Sequence, residues 1–256
     1  MREVLVLCYH AVSEEFPAPL SVSPDTLRDQ LGVLVRHGYR GETFSRSISE
    51  PREGKTLAVT FDDAYRSVVK LALPILAELG LPGTVFAPTA YIGTEAPMRW
   101  PGIDRWHGTG HEVELIPCSW PELELLVDAG WEVGSHTRTH PRLSDLTDAD
   151  LMTELRESRR ECEQRLGVAC RSIAYPYGAV NGRVADAVAT AGYSFGAELP
   201  GTFRAPSVPL RWPRVGIYNR DTRWRFLLKT AGFTRTLRGS SVWSVLDRMR
   251  HACRPT

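Results

Sequence analysis

Apolar residues along this chain fall in short runs that alternate with longer amphipathic stretches. That is the pattern of βα units around a mainly parallel sheet. The short runs predict strands at Val4–Cys8, Thr56–Phe61, Thr84–Pro88, Trp131–Ser135, Ser172–Tyr175, Tyr193–Ala197 and Arg214–Tyr218. Helices are expected between them. Ser23-Pro24 opens one that runs to His37, with Ser as N-cap and Pro in the first turn. Val68–Leu79 forms a second, closed by Gly80, and Trp120–Ala129 a third, between Ser119 and Gly130. Thr147-x-x-Asp150 resembles a capping box for a long helix to Leu166, and Val184–Ala191 ends at Gly192. Thr89–Cys118 has no period and is long for a connection, so a functional loop is expected there. No repeat, low-complexity segment or linker interrupts the pattern. Residues 1–220 read as one barrel and 221–256 as a helical tail.

Composition narrows the class. Of 256 residues, 43% are hydrophobic and 24% charged, and the net charge is +1, so nothing implies a nucleic-acid partner, which usually meets a strongly basic face. Five cysteines occur with no Cys-x-x-Cys, so reduced thiols are expected rather than a disulfide framework or thiolate zinc site. The apolar run before His10 is too short for a secretory signal, and no stretch reaches the length of a membrane span. A cytoplasmic protein is the expectation.

Chemistry gathers just past the predicted strand ends. His10, Asp62-Asp63, His136 and Pro176-Tyr177-Gly178 each follow a strand, and in a parallel barrel those ends share one face. Adjacent carboxylates such as Asp62 and Asp63 repel when buried, and a cation relieves the repulsion. Taken alone, the pair equally fits a solvated turn. His136 and His140 are four positions apart, close enough to share an ion, although two surface or N-cap histidines would look the same. Two imidazoles with one carboxylate make a set of three ligands, which suits a catalytic metal with a position left for water.

Together the motifs resemble those of the polysaccharide deacetylase family (NodB homology). Thr60-Phe61-Asp62-Asp63 is similar to its first motif. Ser135-His136-Thr137-Arg138-Thr139-His140 is similar to its second, and Tyr175-Pro176-Tyr177-Gly178 to its third. The resemblance covers roughly residues 1–220 and implies a single distorted (β/α)7-type barrel. It implies that Asp63, His136 and His140 bind a divalent metal, Zn²⁺ first with Co²⁺ or Ni²⁺ as alternatives. Asp62 is then the general base, and the Tyr177 backbone N–H helps bind the oxyanion.

Two departures matter. An arginine expected two residues before the third motif's proline is Ala174 here, and Arg214 is the candidate replacement. The late Leu-x-His motif is not evident; His251 follows no clear strand. His10, in Cys8-Tyr9-His10, resembles the early histidine of the poly-N-acetylglucosamine deacetylase branch, where it is the general acid. A satisfied histidine at a strand end is the alternative. The implied reaction removes N-acetyl groups from an N-acetylated carbohydrate and releases acetate. A small-molecule amidase and an inert carbohydrate-binding barrel are the competing readings; oligomeric state is left open. Tyr91, Trp100, Trp106 and His107 in the irregular segment are expected either to stack on a sugar or to pack locally. Trp131 is expected in the core. Arg235–Arg254 reads as a plain surface helix, with an amphipathic docking helix as the alternative.

Overall fold

A computed structural model describes residues 2–199 and 208–231. The barrel strands are β1 (Arg2–Tyr9), β2 (Gly54–Phe61), β3 (Gly83–Ala87), β4 (Glu132–Ser135), β5 (Ser172–Ala174), β6 (Phe195–Glu198), β7 (Trp212–Pro213) and β8 (Val215–Gly216). All neighbours run parallel, in the order β7-β6-β5-β4-β3-β2-β1-β8. The two outer members of that order belong to one segment, broken at Arg214. Its first half pairs with β6 and its second half with β1, which closes a seven-sided barrel. The expectation of a (β/α)7-type barrel is met. The last strand, read from sequence as Arg214–Tyr218, begins two residues earlier, because its first half crosses to β6.

Around the barrel run α1 (Pro24–Arg36), α2 (Phe44–Ser49), α3 (Leu73–Glu78), α4 (Trp120–Asp128), α5 (Asp148–Leu166), α6 (Gly182–Thr190) and α7 (Arg223–Thr230). The caps follow the sequence. Ser23 Oγ accepts from Thr26 N–H, Ser119 and Glu122 form a capping box, and Thr147 Oγ1 accepts from Asp150 N–H. Gly167 ends α5 at φ 66°, a left-handed cap that glycine adopts without strain. The helix expected over Val68–Leu79 is a π-helical turn, Val68–Ala72, followed by α3. Pro74 lacks an N–H and its ring crowds the preceding turn, so a continuous α-helix cannot form across it. Sequence patterning missed α2 and the short strand Tyr39–Gly41 beside the base of β2.

Side-chain alternation then places the interior. Val6, Ala58, Phe86, Ala174 and Ala197 form one buried cluster with Phe44 of α2, which plugs the lower end. Gly134 sits among them, and an added Cβ would lie 2.6 Å from Phe86 and Ser172 Oγ. Extending the same alternation upward from Val6 and Ala58 gives Cys8 and Thr60, then His10 and Asp62. From Phe86's neighbour Gly134 it gives His136, and from Trp212 it gives Arg214. Four polar residues thus enter one layer at the carboxyl end of the barrel.

Outside this layer, the main core lies between strands β1–β4 and the helices, and includes Phe226 of α7. The rest of the expected tail, with Arg235–Arg254 and His251, lies outside the described residues. No helix among the described residues is long and apolar enough to cross a membrane.

Candidate metal centre and active site

Asp63, His136 and His140 each direct one ligand atom into a group whose atoms lie within 4.8 Å of one another. Asp63 Oδ1 is 3.3 Å from His136 Nε2 and 3.4 Å from His140 Nε2. These contacts lack hydrogen-bond geometry, and Oδ1 is buried without a hydrogen-bond partner. Burial favours a neutral carboxyl, but the two histidines outweigh it and hold Asp63 well below the usual carboxylate range. An ionised, unsatisfied oxygen facing two imidazole nitrogens is what a divalent cation completes, and three protein ligands leave room for solvent. The residues therefore fit the metal that the family motifs imply.

Local backbone explains how these side chains meet. By alternation Asp63 would point away from the barrel interior. Asp63 and Ala64 instead adopt φ 68° and 51°, turning the chain so that the carboxylate reaches the histidines. Thr137, His140 and Tyr177 also have positive φ, at 67°, 60° and 58°. All five non-glycine residues of this kind among those described lie at or next to the site. Such conformations cost free energy and persist only where surrounding contacts impose them.

Those contacts are visible around Thr137–Thr139. Glu154 of α5 accepts from the Arg138 N–H at 2.8 Å, the Thr139 N–H at 2.9 Å and the Thr139 hydroxyl at 2.6 Å. Thr137 and Arg138 carbonyls accept from the Thr89 and Ala90 N–H groups. Ser135 Oγ accepts from Thr137 N–H and is tied to Ser158. Nothing in the sequence marks Glu154, which sits mid-helix with no motif of its own. Glu154→Ala is expected to weaken divalent-metal binding by about tenfold, because the loop that carries His136 and His140 loses three acceptor contacts. Chelator competition on the folded variant measures this.

His136 Nδ1 lies 2.9 Å from the Ala174 carbonyl, which fixes the tautomer that leaves Nε2 free to bind a metal. Burial works against its charge, but Asp62 and Asp63 outweigh burial and raise its pKa. In His140 burial prevails and lowers it.

Beside this group, Arg214 grips Asp62 through two bonds, Nη1–Oδ1 at 2.6 Å and Nη2–Oδ2 at 2.8 Å. Nη1 also donates to Thr60 Oγ1 at 3.0 Å. Arg214 is 1% and Asp62 2% exposed, so the pair is fully desolvated. Burial alone would raise Asp62, but the guanidinium outweighs it and brings its pKa down to about 2. Burial alone would lower the Arg214 pKa, but Asp62 outweighs it and raises it. Cys8 Sγ adds a weak contact to Asp62 Oδ2 at 3.4 Å.

His10 completes the layer. It shares a second group with Cys8 and Asp62 within 4.8 Å, and its buried Nδ1 has no hydrogen-bond partner. Burial pushes its pKa down, with Asp63 and Asp62 opposing.

Tyr177 stands at the rim with its ring edge-on to His140, 4.8 Å between centroids. The hydrogen bonds of its turn come from Gly178 and Ala179 N–H, leaving the Tyr177 N–H outside them. His10, Asp62, Asp63, His136, His140 and Tyr177 line a cavity of about 360 Å³, walled by Leu20, Trp100, Ile103, Leu199 and Tyr218 among others. Within the irregular segment, Trp100 lines the cavity, whereas Tyr91, Trp106 and His107 pack locally. Trp106 packs on Phe16 and His111, His107 bonds Glu112 and the Met98 carbonyl, and Tyr91 bonds the Arg99 carbonyl. Trp131 is buried against Phe61. The four described cysteines are free and buried.

Comparison with known proteins finds relatives that are named deacetylases. A poly-beta-1,6-N-acetyl-D-glucosamine N-deacetylase of Staphylococcus aureus is 24% identical over 192 residues, 70% of this chain and 61% of that protein. The chain thus spans about three fifths of the length of the curated relatives it matches. Among solved structures, a Streptococcus pyogenes deacetylase in complex with acetate superimposes with TM-score 0.73, at 22% identity, covering 90% of this chain and 98% of that one. A polysaccharide deacetylase from Bacillus cereus gives TM-score 0.73 at 25% identity, covering 90% of this chain and 69% of that one. The profile of the polysaccharide deacetylase family matches residues 49–196, more than half of the sequence and both the Asp62-Asp63 and His136–His140 motifs, and the chain belongs to that family.

Proposed function

We propose that this protein hydrolyses N-acetyl groups from N-acetylated amino sugars in a polysaccharide or oligosaccharide, releasing acetate, with a divalent metal at Asp63, His136 and His140. The observation that carries this reading is the unsatisfied Asp63 Oδ1 facing two imidazoles, with the Arg214-held Asp62 beside it in one cavity. Zn²⁺ is the ion proposed, since two imidazoles and a carboxylate are a common zinc set. When bound, such an ion polarises the acetamide carbonyl and makes water acidic enough to attack near neutral pH.

The chain's own groups do the rest. Asp62, ionised at every working pH by its arginine partner, accepts the proton of the attacking water. Arg214 holds both carboxylate oxygens and so fixes their direction. The Tyr177 N–H, turned by its positive φ, donates to the oxyanion that forms on the carbonyl oxygen. His10 passes a proton to the departing amine. That proton is the one Asp62 takes from water, since Asp62 and His10 share one group. The apolar and aromatic walls suit a sugar ring, whose CH faces pack on such surfaces while its amide points to the floor.

The test is acetate release from N-acetylglucosamine oligomers, with the free sugar as comparison. Activity on oligomers, abolished by a chelator and restored by zinc, is expected. Equal loss-free turnover after complete metal removal, or no acetate from any N-acetylated sugar, would refute the reading.

A further inference from the structure

The two histidines of the proposed metal centre are held differently. His136 Nδ1 has the Ala174 carbonyl as acceptor, whereas His140 Nδ1 is buried with no hydrogen-bond partner. A metal-binding imidazole ordinarily gives its second N–H to an acceptor, which fixes ring plane and tautomer and raises its basicity. Aromatic faces take that place around His140. Trp100 stacks on it with centroids 4.1 Å apart and planes 21° apart, and Tyr177 meets it edge-on.

Trp100 is itself fixed. It is 7% exposed, and Tyr91 packs against it at 74° with centroids 5.3 Å apart. Its carbonyl accepts from the Ile103 and Asp104 N–H groups at 3.2 and 3.1 Å. Two residues before it, the Met98 carbonyl is held by His107 Nε2 at 3.0 Å. An indole so anchored presents one orientation to its neighbour.

We propose that Trp100 is a positioning residue for the metal centre: its indole face sets the plane of His140 where no hydrogen-bond acceptor does. The inference rests on the metal reading above and extends it. It makes the irregular Thr89–Cys118 segment part of the metal site as well as a wall of the cavity. It also ranks the ligands. His140, with nothing to polarise its ring from behind, is the weaker and more compliant donor, so metal affinity depends on the stack.

The test is cobalt(II) binding to the full chain, read by chelator competition and by the visible absorption of the loaded protein. Trp100→Ala and Trp100→Leu are expected to bind cobalt about 10–100-fold more weakly and with a changed spectrum, while Trp100→Phe stays within about threefold of wild type. Trp106→Ala, which alters the same segment without touching His140, is the control and is expected to keep wild-type affinity. A folded Trp100→Leu with unchanged affinity and spectrum overturns the proposal. So does a Trp106→Ala variant weakened to the same degree, since the segment's packing and not the stack would then be responsible. If Trp100→Ala fails to fold, the Leu and Phe variants decide. A wild type that binds no cobalt defeats the metal reading itself, a result distinct from either.

Discussion

Asp62→Asn is expected to lower kcat/KM for deacetylation by about 10²–10⁴-fold, the usual worth of a positioned general base. Metal content should be unchanged, because Asp63, His136 and His140 are untouched. Asparagine matches the volume of aspartate and still offers Arg214 one oxygen, so the fold should survive. An amide cannot take the proton from water at any pH, and raising the pH should not rescue the rate. Acetate release measured beside metal analysis on the same preparation checks both parts. Activity within tenfold of wild type would remove Asp62 from the mechanism. Joint loss of activity and metal would show that the substitution disturbed the metal centre instead.

Arg214→Met tests the other half of the pair. Methionine fills the buried channel but leaves Asp62, 2% exposed, without its cation. Breaking a buried ion pair by removing one partner costs about 3–5 kcal/mol, since a desolvated charge is left behind. The pH dependence carries a sign that packing loss alone would not give. In the wild type the Asp62 pKa lies at about 2, below its ordinary value of 3.8. Its carboxylate therefore adds stability above about pH 4, and that stability is lost as the pH falls through about 2. In the variant the guanidinium is gone, so burial pushes the carboxyl upward against His136 and His10 alone. Such a group stabilises the fold when protonated and loses that contribution as the pH rises. The stability deficit of Arg214→Met should therefore shrink as the pH is lowered from neutrality toward 3, followed by denaturant unfolding. A deficit independent of pH would mean that Arg214 acts through packing and not through Asp62.

Much of this chain was legible because its signals are local. The apolar runs of β1 and β2 and the caps Ser23, Ser119 and Thr147 sit within a few residues of what they specify. Elements with weak local signals were missed. Helix α2 is six residues long, and the π-helical turn before α3 follows from a proline that periodicity alone does not weigh. At the site, the motif residues could be named from their spacing. Their supports could not be, since Glu154 bears on the ligand loop from 15 and 16 positions away and Trp100 meets His140 from 40 positions away.

By itself, the sequence determined the parallel βα alternation, the strand ends where chemistry gathers, and the identities of Asp62, Asp63, His136, His140 and His10. Those are matters of period and of residue type, which each stretch of chain carries within itself. The tertiary structure decided what those residues are to one another. Closing the barrel carried Arg214 from the last strand onto Asp62, 152 positions away, where a cation in a water-free layer outweighs the effect of burial. It forced Asp63 into a left-handed turn so that a residue of the wrong alternation faces the histidines. And it buried His10, which pushes down the pKa of a group whose charge, in water, is set only by pH.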